Sequence, residues 1–209
     1  MGRYASTSSN FVPAPAGTHV ARCVRMVDIG TQIGEYLGEA ITHVQVIVMW
    51  ELPNAKMQDG QPFIVSAWYT NSLHAKANLR RHLEAWRGRI FTPEELKRFD
   101  LETILGKPCL LQVAHSESGR AKVVGCMALP KGTVVPPQVN PSTSFWIDTA
   151  TDEQFAALGK LSEYVALSDE WKKRKAGKPA AETPAPSPAG AAPEPAEKLV
   201  EPAEENIPF

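Results

Sequence analysis

Five stretches of this chain alternate apolar and polar side chains with period two, and one helical stretch falls between the third and the fourth. Such alternation describes strands with one face in a core and one face in solvent, so the order of these stretches limits the available folds. In residues 18–29, Ala21, Cys23, Arg25 and Val27 fall on one side, with Val20, Arg22, Val24 and Met26 on the other. Residues 39–51 follow a loop punctuated by Gly30, Gly34 and Gly38. There Val44, Val46, Val48 and Trp50 share one face, and His43, Gln45, Ile47 and Met49 share the opposite one. Asp59-Gly60 is a turn signal before residues 61–70, where Phe63, Val65, Ala67 and Tyr69 alternate with Ile64, Ser66 and Trp68. Residues 109–116 and 120–128 flank the turn Glu117-Ser118-Gly119.

The intervening residues 72–87 place Leu79, Leu83 and Trp86 in one apolar helical stripe, which puts Trp86 in the core. Thr92-Pro93-Glu94-Glu95 and Thr151-Asp152-Glu153-Gln154 both read as capping boxes. The first starts a short helix ending near Phe99; the second, after a Pro-rich connection at 134–141, starts helical sequence to about Lys175. Strand–strand–strand–helix–strand–strand is the order of an OB-fold, a five-stranded Greek-key barrel. The expected organisation is therefore mainly β. It comprises a flexible N-terminal arm (1–15), an OB-fold-like barrel with an inserted helix (16–144), a helical appendage (145–177) and a disordered acidic Pro/Ala-rich tail (178–209).

Charge follows that division. The whole chain carries 22 basic and 23 acidic residues, but 21 of the basic and 17 of the acidic ones lie in residues 1–178. Residues 179–209 hold Lys198 against six glutamates, together with eight prolines and eight alanines. Such a segment buries too little apolar surface to offset the entropy of ordering it. A highly cationic packaging protein is excluded; a mildly basic nucleic-acid binder with an acidic arm is not.

The most apolar stretch, residues 40–50, is interrupted by Thr42, His43 and Gln45 and falls well short of the ~20 residues of a membrane span. The N-terminal segment lacks the apolar core of a signal peptide, and a cytoplasmic protein is expected. Cys23, Cys109 and Cys126 form no CxxC pair and read as small hydrophobes within strands. His19, His43, His74, His82 and His115 show no metal-ligand spacing, and no Walker A, GxSxG, HExxH or paired-Asp motif is present. Neither an enzyme nor a bound cofactor or metal is expected.

The aromatic and basic residues point elsewhere. Trp50, Trp68 and Tyr69 lie at the ends of strands expected to be neighbours, and Tyr36 lies in the loop between the first two. Single-stranded nucleic acid is held by aromatic faces stacked on bases within a basic groove. Arg22, Arg25, Lys56, Arg80, Arg89, Arg120 and Lys122 are the candidates for that groove. Period two sets Trp68 and Tyr69 on opposite faces, so one of them lines the groove, and one of Trp50 and Trp68 is available for the barrel core. The run Lys172-Lys173-Arg174-Lys175 reads as a solvated helix end.

The chain finishes Glu204-Glu205-Asn206-Ile207-Pro208-Phe209. Physically this is a compact ligand for a basic-rimmed apolar pocket, with a ring to anchor, a carboxylate to pair and a proline that limits the ordering cost. It resembles the C-terminal tip of bacterial single-stranded DNA-binding proteins, in which an acidic run precedes Ile-Pro-Phe. Ile207, Pro208 and Phe209 match; Asn206 replaces an acid, and Glu204 and Glu205 stand where Asp is usual. Residues 10–131, with PAGTHVARCV, IVMWELPN and SAWYTNSLH, more loosely resemble the OB-fold single-stranded DNA-binding proteins of bacteriophages and prophages.

That resemblance implies a protein of phage or prophage DNA replication, recombination and repair acting in the bacterial cytoplasm. Its barrel would bind single-stranded DNA without sequence preference. The tip would recruit a helicase, primase, polymerase or nuclease. The acidic tail is also expected to compete with DNA for the basic groove. An adaptor or decoy that uses the tip without binding DNA, and an RNA-binding OB domain, are the alternatives. The appendage at 145–177 can pack on its own barrel or bridge two chains, so a homodimer stays open.

Overall fold

The computed structural model describes residues 12–36 and 38–177, the side chains of Glu35 and Tyr36 excepted. Its centre is a mainly β sheet built from β1 (Gly17–Tyr36), β2 (Glu39–Lys56), β3 (Pro62–Thr70), β4 (Pro108–His115) and β5 (Ala121–Met127). These five run antiparallel in the order β3-β2-β1-β4-β5, and a short β6 (Thr143–Phe145) pairs parallel with β1. The terminal strands β3 and β5 come into contact, so the sheet curls around its inner face. Helix α1 (Asn78–Arg87) packs on β3 and β5 and buries the expected stripe Leu79, Leu83 and Trp86. The short α2 (Pro93–Lys97) follows.

The inner core joins Ala21, Met26, Val46, Val48, Trp50, Val65, Tyr69 and the three cysteines, Cys23, Cys109 and Cys126, to the α1 stripe. Trp50 lies 6.1 Å from Trp86, ring centre to ring centre. The alternation expected for β2 and β3 holds through this core. In β1 it breaks. The register passes from Cys23 opposite Trp50 directly to Arg25 opposite Met49, leaving Val24 as an extra residue. One inserted residue reverses the faces that follow. Ala21 and Cys23 therefore point inward as expected, but Met26 joins them, while Arg25 and Val27 turn outward.

That outward face carries a second core. Val27, Ile29 and Ile47 pack beneath Phe145, Ile147, Leu158, Val165 and Trp171. The appendage thus covers part of the sheet's outer surface. It is three short helices, α3 (Asp152–Ala156), α4 (Leu161–Leu167) and α5 (Asp169–Gly177), where the sequence suggested continuous helix. The break falls at the buried Ser168. Its hydroxyl donates to the Val165 carbonyl at the end of α4 and accepts from Trp171 N at the start of α5.

Two further expectations are corrected. Gly30 and Gly34 do not end β1 in a loop but lie inside it, because a second bulge near Ile29 puts Gly30 at φ 64°, and the strand continues to Tyr36. Helix α1 starts at Asn78 rather than near Ser72. The Ser72 hydroxyl accepts from His74 N, so the chain turns locally before helix can begin. The capping boxes at Thr92 and Thr151 form as expected.

Among the described residues no helix is long and apolar enough to cross a membrane, and no cluster of three or more His, Cys, Asp or Glu side chains is placed to hold a metal.

Candidate functional site

Between β3 and β5 the curled sheet leaves a cleft of about 470 Å³, closed at one end by α1. The outward residues of β3 supply Ser66 and Trp68, β5 supplies Lys122 and Val124, and α1 supplies Asn78 and Arg81. Trp68 is 43% exposed, whereas Trp50 is 2% and Tyr69 is 5%. Period two explains the split, since Tyr69 follows the inward row of Val65 and Trp68 the outward row of Ile64. Trp68 is thus the exposed aromatic of the cleft, and its edge-to-face neighbour is Tyr164 of α4, with ring centres 4.7 Å apart.

Lys122 is exposed on β5, and Arg81 is oriented by donating from Nη2 to Asn78 Oδ1 at 2.9 Å. No carboxylate lines this cleft. Its floor holds a polar pair, the Tyr69 hydroxyl 2.8 Å from His82 Nδ1. Burial pushes the Tyr69 phenol up, keeping it protonated, while burial and then the charge of Arg81 push His82 down, favouring neutral imidazole. The cleft's lining therefore offers one half-exposed indole, two cations and no carboxylate. A planar ring attached to an anion complements all of these.

Another cleft, of about 460 Å³, has the opposite character, with Asp28, Asp100, Glu102 and Asp148 and no basic lining residue. Three of its carboxylates are engaged within the fold: Asp28 accepts from Gly30 N, Asp100 from Glu102 N, and Glu102 from Ser144 and Trp146.

Of the sequence-derived candidates, the cleft brings together Trp68, Tyr69 and Lys122. Others are placed elsewhere. Trp50 is enclosed in the inner core. Arg22 is half-buried on β1 and donates to the carbonyls of Gly106 and Pro136. Arg80 pairs with Glu84 at 2.9 Å, one helical turn on. Arg89 pairs with Glu95, which is held down at about 2 by its hydrogen bonds with Arg89 and with Thr92 N and then by Arg87. Arg25 lines a separate cleft on the outer face. Lys56 ends β2 and Arg120 begins the approach to β5, both exposed and outside the cleft lining. The Tyr36 side chain and the tip residues Glu204, Glu205, Asn206, Ile207, Pro208 and Phe209 lie outside the described residues.

Sequence reasoning missed Arg81, Asn78 and Tyr164. The four-residue spacing of Arg80 and Glu84 was the available signal that Arg80 is committed to its own helix. Tyr164 carried no signal, because only the folding of the appendage onto the outer face brings it to Trp68. Comparison with family models, with curated proteins and with solved structures finds no match to this chain.

Proposed function

We propose that this chain is a single-stranded DNA-binding protein, an OB-fold-like barrel that holds unpaired bases against Trp68 and backbone phosphates on Lys122 and Arg81. The observation that carries this reading is one exposed indole sharing a cleft with two cations and no carboxylate. Base–aromatic stacking contributes about 1–3 kcal/mol per base and accepts any base, because every base has a π face. Duplex DNA keeps its bases stacked on each other and leaves Trp68 nothing to bind. The strand order and the helix between β3 and β4 support the OB-like assignment. In this reading no chemistry is performed, and residues 204–209 bring replication and recombination proteins to the bound strand.

The test is a titration of fluorescent oligothymidylate with the full chain at low and moderate salt, with matched duplex as competitor. Salt-weakened binding that duplex does not displace, and that Trp68→Ala and Lys122→Ala each weaken, supports the reading. Binding unaffected by both substitutions removes the cleft as the site. A matched oligoribonucleotide in the same titration separates DNA from RNA preference.

A further inference from the structure

The Arg25 cleft lies on the same outer face, on the other flank of β3. It measures about 450 Å³ and is walled by Val24, Met49, Ile64, Phe145 and Leu158, with Arg25 its one cation and no carboxylate among its lining residues. Arg25 is half-buried and donates from Nη2 to the carbonyl of Ala157, at the end of α3. Burial, with no neighbouring anion to offset it, pulls its guanidinium below the usual arginine range.

The register connects this cleft to the first. Arg25 stands opposite Met49 across β1–β2, and Met49 stands opposite Ser66 across β2–β3. Ser66 itself lines the Trp68 cleft. One row running straight across three strands thus joins the two clefts, and at about 4.8 Å per strand it spans about 10 Å from Arg25 to Ser66. The acidic cleft takes no part in this row.

We infer that the Arg25 cleft is a second subsite for the same strand of nucleic acid, which crosses β3 over Ser66 and sets its next base against Met49 and Ile64 with a phosphate on Arg25. This inference rests on the single-strand-binding reading of the Trp68 cleft. The chemistry favours a nucleotide over a purely apolar ligand, because the cleft pairs an apolar wall with an unneutralised cation. Its length suits the strand: about 10 Å is three nucleotides at the 3.4 Å rise of a stacked strand and fewer when the strand is drawn out. The appendage then has a direct part in binding, since Phe145 and Leu158 form one wall of this subsite.

Fluorescence titrations of the full chain with a thymidine dinucleotide and with an oligothymidylate of about ten residues test this. The longer strand reaches both clefts, whereas the dinucleotide is satisfied by the Trp68 cleft alone. Arg25→Gln keeps an amide to donate to Ala157 but removes the charge. It is expected to weaken the longer strand roughly tenfold and to lower its salt slope by about 1, leaving the dinucleotide unchanged. Arg25→Lys should restore the salt slope. If Arg25→Gln matches the unsubstituted chain in affinity and salt slope for both ligands, the second subsite is overturned while the Trp68 reading stands. If the unsubstituted chain binds neither ligand, the underlying reading fails and this inference falls with it.

Discussion

Arg22 and Glu51 stand directly opposite each other across the β1–β2 ladder, and both reach the main chain of the same Pro-rich segment. Arg22 donates to the carbonyl of Pro136, while the fully buried Glu51 accepts from Val139 N, Asn140 N and Asn140 Nδ2. A cation and an anion side by side thereby fasten a segment that has no regular structure of its own. Glu51→Ala removes the acceptor of all three bonds, leaves a void at a fully buried position and should destabilise the fold by about 3 kcal/mol in urea unfolding. A loss below about 1 kcal/mol would mean that residues 136–140 are held by something else.

The two tryptophans of the central strands should behave in opposite ways. Trp50→Ala opens a cavity beside Trp86 and should cost about 4 kcal/mol of stability. Trp68→Ala removes a half-exposed ring and should cost about 1 kcal/mol or less, yet weaken oligothymidylate binding about tenfold or more. Paired thermal melts and titrations check both, and a large stability loss at Trp68 with unchanged binding would reassign that ring to packing.

Gly30 tests the docking of the appendage. At φ 64° a side chain is strained, and an added Cβ would lie 2.7 Å from both Ser168 Cβ and Glu170 Oε2. Glu170 cannot easily yield, because it accepts from both the main chain and the hydroxyl of Thr31. Gly30→Ala should therefore lower stability by more than the about 1–2 kcal/mol of the backbone term alone. It should also loosen α5 and so speed tryptic cleavage after the already exposed Lys172 and Lys173, and an unchanged melt and digestion rate would contradict this.

His82 gives a pH signature. Its folded-state pKa lies below 6.5, so as pH falls past 6.5 the unfolded chain takes up a proton that the native chain resists. Stability should be full above that pH and decline as acid approaches the folded value. His82→Gln should flatten the urea midpoint between pH 7 and 5, and an equal decline in both chains would assign the effect to other groups.

Cys23, Cys109 and Cys126 are all buried, and burial pushes the Cys23 and Cys109 thiols up, away from the reactive thiolate. A disulfide reagent should label none of the three in the native chain and all three in urea. Fast labelling of any one under native conditions would show that its strand opens.

The mainly β sheet was legible because β2 obeys period two as far as Leu52 and β3 throughout, and because α1 carries a clean apolar stripe. The phase of β1 was not, since a single extra residue at Val24 leaves no mark in composition. The lining of the candidate cleft was readable by residue type and poorly readable by position. Trp68 and Lys122 come from strands whose faces can be counted, but whether an arginine meets solvent, a carbonyl or a glutamate depends on partners distant in sequence. Arg22 meets Gly106 and Pro136, and Arg25 meets Ala157. Only Arg80 announced its partner, four residues away.

The bulge at Val24 also decides how the molecule can come apart. On one side of it β1 contributes Ala21 and Cys23 to the inner core, and a few residues later it contributes Val27 and Ile29 to the outer one. Sheet and appendage are therefore not separable modules with a linker between them but two halves leaning on one strand. Melting should proceed in a single cooperative step, and neither half is expected to persist without the other. Deletion of Val24 would leave Cys23 opposite Trp50 and Arg25 opposite Met49 in unbroken alternation, with Arg25 still outward and Met26 still inward, so the extra residue changes the count along the chain and not which side of it is the inside.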